Sequence, residues 1–332
     1  VFIKISPWLL VFFCALNSAL VAGQENTPAP SDEVEEVLVV GEQPGPGVWK
    51  ISKGEHVLWV MGTLSPLPKN IQWRSGQVET LLANSQELLM PAEVKMQISF
   101  WGKVGVLPAL IGVKNNPDGK TLAEILPANL YQRWEHLQQK YMEHDKSIEK
   151  QRPIFVAHEL FNKATEKSGL VPNDFVRWRI EQIVRDNKIA TVRPLVEREL
   201  KNPSSFVKKF KKSSLDDTEC FAKTLERLET DLDSMRARAN AWATGDIDAL
   251  RKLPYADNAG ACSAAIIDSS FAQAEGLSDL NIELRTAWLG AAELALTNNA
   301  STFALLPMSE LLSPDGLVAK LQAKGYSLDI NP

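Results

Sequence analysis

Apolar residues fall along this chain in two patterns, and the pattern changes as the chain proceeds. Between residues 48 and 90 they come in short β-branched and aromatic runs that stop at turn residues. Residues 48–51 and 56–62 read as two strands of a hairpin, with residues 52–55 as its loop. The second strand ends at Gly62-Thr63, followed by Leu64-Ser65-Pro66. A turn and a short helix are expected over residues 66–73. Ser75 is placed to cap a helix reaching Leu82, and residues 86–90 form the next strand, ending at Pro91.

Residues 92–120, rich in Gly and Pro, read as irregular. Within them the apolar residues 104–113 read as a covering loop, a buried helix or a pocket lid. Leu130, Trp134, Leu137 and Tyr141 then recur at helical spacing. Residues 154–157 read as a short buried strand feeding a helix over 158–167. Asn173 or Asp174 caps a further helix to about Asn187, and residues 189–192 form another strand. Strand and helix therefore alternate through the centre, which argues an α/β sheet.

From about residue 199 to 298 helix dominates, with Leu225, Leu228, Leu232 and Met235 as one stripe of a helix over 216–243. The chain closes with strand, helix and strand over residues 303–330, and the last strand can return to the N-terminal sheet. The expected fold is thus α/β (α+β): a central mixed sheet flanked by helices, with a large helical insertion before a C-terminal strand–helix–strand. It occupies residues 44–332 as a single domain. No internal repeat interrupts it.

The N-terminal pattern differs. Residues 8–16 are wholly apolar, Lys4 is the sole charge before Glu25, and small residues precede Gln24. The run is too short to span a bilayer, so residues 1–23 read as a secretory signal peptide. Cys14 lies inside it without the small-residue setting of a lipidation site. Residues 24–43 read as a disordered leader, with a candidate strand at Val37-Leu38-Val39-Val40. Export to the periplasm or exterior of a bacterial cell follows, with no membrane span after cleavage. It leaves Cys220 and Cys262, an even pair that in an oxidising compartment favours a disulfide.

Composition adds little beyond this. The 332 residues are 45% hydrophobic and 23% charged, as in ordinary globular chains. A formal charge of −5 gives no overall attraction to nucleic acid or an anionic membrane. Lys208, Lys209, Lys211 and Lys212 form a local basic spot that reads as a solvated helix end or loop. Gly-x-Ser-x-Gly, phosphate-binding glycine loops, Cys-x-x-Cys and His-Glu-x-x-His are all absent.

Three stretches carry a resemblance to a known family. They are residues 44–51 leading into Gly62-Thr63-Leu64-Ser65-Pro66, residues 86–91, and Pro307-Met308-Ser309-Glu310-Leu311 with Pro314-Asp315-Gly316-Leu317 and Lys324-Gly325-Tyr326. In this order they resemble the TraB/GumN family, which includes the Tiki metalloproteases. The resemblance implies a divalent-metal site built from two Gly-x-x-His motifs and a strand-end Glu, ligands that leave positions open for water. This chain has Ser65 and Glu310 at the two histidine positions and Pro91 at the glutamate. Arg285 resembles a helix arginine of the family.

Glu93, two residues beyond Pro91, is with Glu310 a candidate ligand for a hard cation. A solvated or salt-bridged role is the plainer expectation for both. His56 reads as exposed, His136 and His144 as surface residues, and His158 as a capping or packing residue. Three functional readings follow. One is a binding or accessory protein of the cell envelope, without cofactor, whose partner is a protein, peptide or polysaccharide. Another is a metal-dependent hydrolase or protease using substitute ligands. The last is a metal-free hydrolase with Ser65 as nucleophile, for which no base is placed.

Overall fold

A computed structural model of the chain describes residues 45–143, 146–171, 174–253 and 258–331. The expected signal peptide, leader, Val37-Val40 strand, His144 and Asn173 lie outside the described residues.

Ten strands occur among the described residues. β1 (Val48–Lys53) and β2 (His56–Thr63) form the expected hairpin. Its loop is shorter than the sequence reading, because Gly54 adopts a φ of 60° and turns the chain within two residues. β3 (Leu67–Pro68) pairs with β6 (Leu170–Val171), where a short helix was expected. β4 (Glu87–Leu89), β7 (Ala190–Val192), β9 (Ser301–Pro307) and β10 (Ser327–Asn331) join the hairpin in a six-stranded mixed sheet of order β10-β1-β2-β9-β4-β7. β2, β9, β4 and β7 run parallel, while β1 is antiparallel to both its neighbours. The last strand does return to the N-terminal hairpin.

β9 is central and its residues 302–306 are all buried, the signature of a strand covered on both faces. Around it gather Trp49, Met61, Leu82, Trp242, Trp288 and Phe303, the interior of a core flanked by helices. A second cluster lies among the helices Ala128–Tyr141, Pro153–Lys167 and Thr218–Thr230. There the Trp134 and Phe221 rings pack 5.8 Å apart.

Four further sequence readings need correction. Residues 154–157 are not a strand but the first turn of the helix Pro153–Lys167, with Pro153 at a position where its missing N–H costs nothing. A short apolar run does not by itself distinguish buried strand from buried helix. Residues 92–120 are not irregular: they hold β5 (Glu93–Gln97) and a helix, Phe100–Leu110, whose start is capped by Ser99 accepting from the Gly102 N–H at 3.1 Å. β8 (Leu195–Glu199), for which no strand was expected, pairs with β5 in a separate parallel ladder. The expected helix over 216–243 is two helices, Thr218–Thr230 and Leu232–Ala243, parted at Asp231.

Cys220 and Cys262 are bonded, joining the helices Thr218–Thr230 and Asn258–Ile267 across 42 residues with Cα atoms 4.4 Å apart. Closing a loop of this length restricts the unfolded chain. Replacing both cysteines by Ala should therefore lower stability by about 4 kcal/mol in the chain-entropy account. Urea unfolding of the oxidised protein against the double variant measures this, and equal midpoints would contradict it.

Candidate functional site

The carboxyl ends of the four parallel strands share one edge of the sheet, where ligands bind in sheets of this kind. The pairing of β2 with β9 sets Thr63 beside Pro307. The Thr63 hydroxyl donates to the Leu306 carbonyl at 3.2 Å, and the buried Trp242 Nε1–H donates to the Gly62 carbonyl at 2.7 Å. Gly62 leaves room for the flexible end of Met308. A Cβ on Gly62 would lie 2.5 Å from Met308 Cε and 2.9 Å from its sulfur. The second motif's methionine thus packs directly over the glycine of the first.

Two cavities open on this edge, one on each side of Pro307, which lines both. The larger, about 540 Å³, takes Ser65, Ser309, Leu64 and Met308, together with Arg238 and Leu250 from the helical region. The smaller, about 330 Å³, takes Pro91, Glu310, Arg285, Leu284 and Trp288. The three positions singled out in the sequence therefore reach the same edge but divide between two cavities. Ser65 stands in one, and Pro91 and Glu310 meet in the other.

Glu310 has both carboxylate oxygens engaged. Oε1 accepts from Arg285 Nη1 at 2.5 Å, and Oε2 accepts from the Leu317 N–H at 3.0 Å. The second bond satisfies an otherwise open donor at the start of the helix Leu317–Ala323. Arg285 also donates to the Asp315 carbonyl, so the pair ties the long helix Leu280–Asn298 to the turn after β9. Glu93 lies exposed on β5 and pairs with Arg193 at 3.5 Å and Arg177 at 3.9 Å. Among the described residues no three His, Cys, Asp or Glu side chains gather closely enough to hold a metal ion.

The model of the TraB/PrgY/gumN family matches residues 47–330. The chain belongs to the TraB/PrgY/gumN family. No curated protein and no solved structure matches it significantly.

Within this family member no histidine lines either cavity among the described residues. His56 is half-buried rather than exposed, with Nδ1 2.7 Å from the Asn299 carbonyl. His136 is exposed. His158 sits in the second turn of its helix, on the exposed side, with Nε2 3.0 Å from Asn162 Nδ2. Trp288 Nε1–H is buried with no acceptor among the described residues.

Sequence reading missed the helical wall of the larger cavity. Asp231 accepts from Arg238 Nη1 at 2.9 Å and from Arg238 Nη2, with Arg227 Nε 3.5 Å away; all three residues are buried. The spacing of Asp231 and Arg238, seven residues or about two helical turns, was the available signal. Arg251 also lines this cavity and lies 3.8 Å from Asp248.

Because Met308 fills the space over Gly62, Gly62→Ala should cost about 1–3 kcal/mol through overpacking. In a Met308→Ala background the same change should cost much less, since the obstructing atoms are gone. A double-mutant cycle by urea unfolding reads this coupling directly. Additive effects would show that the two motifs do not press on each other.

Proposed function

We propose that this family member is an exported binding or accessory protein of the cell envelope that lacks metal-dependent hydrolase activity. The observation carrying this reading is the Glu310 carboxylate, whose two oxygens are taken by a guanidinium and a backbone N–H. A divalent ion needs several anionic or imidazole donors with free lone pairs. A hydroxyl at Ser65, a ring without donors at Pro91 and a carboxylate already paired with Arg285 fit such an ion poorly. The positive charge of Arg285 also repels it.

The larger cavity supplies the binding surface. Leu64, Leu250, Met308 and Leu312 make it mainly apolar, while serine hydroxyls and the Arg251 guanidinium give a few polar fixing points. That combination suits a peptide segment offering an apolar side chain and a carboxylate better than it suits a polysaccharide. The Cys220–Cys262 disulfide supports residence in an oxidising compartment.

Elemental analysis of the dialysed protein should find less than stoichiometric metal, and zinc, manganese or cobalt should not raise its melting temperature. Glu310→Gln should destabilise by about 1–3 kcal/mol, because the amide cannot serve both donors as well as a carboxylate does. Bound metal at one per chain that disappears in Glu310→Ala would overturn the proposal in favour of a metal-dependent hydrolase with substitute ligands.

A further inference from the structure

The helix Phe100–Leu110 is apolar around its whole circumference, with Lys103 as its only charge. Such a helix normally lies inside a protein or in lipid. This one has a single small-residue side turned inward: Ala109 is buried, and Gly102 and Val106 are half-buried. Phe100 and Trp101 are 70% and 78% exposed, and Leu107 and Ile111 are 60% and 77% exposed. Val104 and Leu110 extend the same surface. A contiguous apolar patch of this kind is unusual on a soluble protein and marks an interaction surface.

The helix Pro203–Lys212 lies beside it and runs in the same direction. A Cβ on Gly102 would touch Pro203, the Ser204 hydroxyl donates to the Gly105 carbonyl at 2.6 Å, and Lys211 Nζ donates to the Ile111 carbonyl at 2.7 Å. This second helix carries Lys208, Lys209, Lys211 and Lys212 and no acidic residue. With Lys103, the pair of helices holds five lysines and no carboxylate side chain, in a chain whose formal charge is −5. Lys209 is paired with Glu275 at 2.7 Å, while Lys103, Lys208 and Lys212 are exposed. Arg152 fixes the end of the lysine helix, its Nη2 donating to the carbonyls of Phe210, Lys211 and Ser213 at 2.8, 3.1 and 3.0 Å. Apolar and cationic surfaces are thus held side by side on a built platform.

We propose that this two-helix face docks on an anionic phospholipid surface. Phe100, Trp101, Leu107 and Ile111 enter the boundary between headgroups and acyl chains, and Lys103, Lys208 and Lys212 meet the headgroup phosphates. At 11 residues the helix is too short to cross a bilayer, and no helix among the described residues is long and apolar enough to do so. It therefore lies in the plane of the surface, as amphipathic interfacial helices do. Charge selects lipid over a second copy of the chain. Two such faces pressed together would oppose lysines to lysines, whereas an anionic leaflet neutralises them.

Sedimentation of the full chain with vesicles of equal parts phosphatidylglycerol and phosphatidylcholine tests this, against vesicles of phosphatidylcholine alone. Binding is expected on the anionic vesicles, weakened by salt and by at least about tenfold on the neutral ones. The paired substitutions Phe100→Ser with Trp101→Ser, and Lys208→Glu with Lys212→Glu, should each weaken it by about tenfold or more. Their far-ultraviolet circular dichroism and urea midpoints should stay those of the parent, since the changed side chains face outward. As a check independent of those variants, brominated acyl chains should quench the parent's tryptophan fluorescence, with most of the quenching lost in Trp101→Phe. Equal binding to both vesicle types overturns the proposal. So does binding unaffected by either pair of substitutions, which would place it in residues 8–16, and so does dimerisation without lipid binding.

Discussion

Thr63 and Leu306 are 243 residues apart, yet the hydroxyl of one bonds the carbonyl of the other. The parallel pairing of β2 with β9 makes this possible, and the architecture of the candidate site depends on it. Seven consecutive residue pairs run from Val57 with Ser301 to Thr63 with Pro307. In a parallel ladder both strands end on the same side, so the loops that follow are forced together whatever their sequence. Slipping the register by one residue would turn β9 over and move Phe303 and Leu305 to the opposite face of the sheet. Because β9 is buried on both faces, the exposed pattern alone does not define its register. Close packing does: Met308 over Gly62, and the Trp242 indole on the Gly62 carbonyl. The helical region between the two strands thus locks their pairing as well as walling the larger cavity.

Glu310 shows how a position next to a strand end serves structure or chemistry but not readily both. A carboxylate that accepts from a backbone N–H at a helix start and from a guanidinium is well satisfied, with its charge offset. The Arg285–Glu310 pair is partly exposed, so the ion pair alone contributes little. Its importance lies in the groups it ties together, the Leu280–Asn298 helix and the Leu317 N–H, which belong to two helices that also meet through Lys324 and Glu293. Gly316 completes that turn, since a Cβ there would fall 2.2 Å from the Glu310 carbonyl oxygen. Withdrawing Glu310 to bind a cation would leave both donors open. The free energy that a metal would have to supply therefore includes undoing this cap.

The elements that sequence reading recovered are those whose burial differs strongly between faces or whose ends carry turn residues. The β1–β2 hairpin is one, with Gly54 at its turn, and the closing strand–helix–strand with Gly316 and Gly325 is another. β5 and β8 escaped notice because Glu-Val-Lys-Met-Gln and Leu-Val-Glu-Arg-Glu pair with each other at the surface, where little apolar alternation marks a buried face. The break at Asp231 escaped for another reason. Nothing in the local helix formers stops a helix there, and the burial of one carboxylate with two arginines exists only in three dimensions. At the site, the resemblance brought Ser65, Pro91 and Glu310 into view. Their division by Pro307, and the contribution of Arg238 and Leu250, depend on helices distant in sequence.

The apolar helix Phe100–Leu110 separates two roles that core helices usually combine. Its attachment uses small residues and backbone carbonyls: Gly102 against Pro203, the Gly105 carbonyl to Ser204, the Ile111 carbonyl to Lys211. Its large side chains contribute little to that attachment, since they point away from the domain. Burial of a Phe or Leu side chain typically stabilises by about 1.5–3 kcal/mol, and here most of that gain is not realised on folding. An attachment made through glycine, alanine and main-chain oxygen lets the helix lie close to its partner while the whole aromatic surface stays outside. A sequence shaped only for folding would place polar residues at 100, 101, 107 and 111. That it places Phe, Trp, Leu and Ile there, beside a helix of four lysines, means the outward surface answers to a constraint other than the stability of this domain.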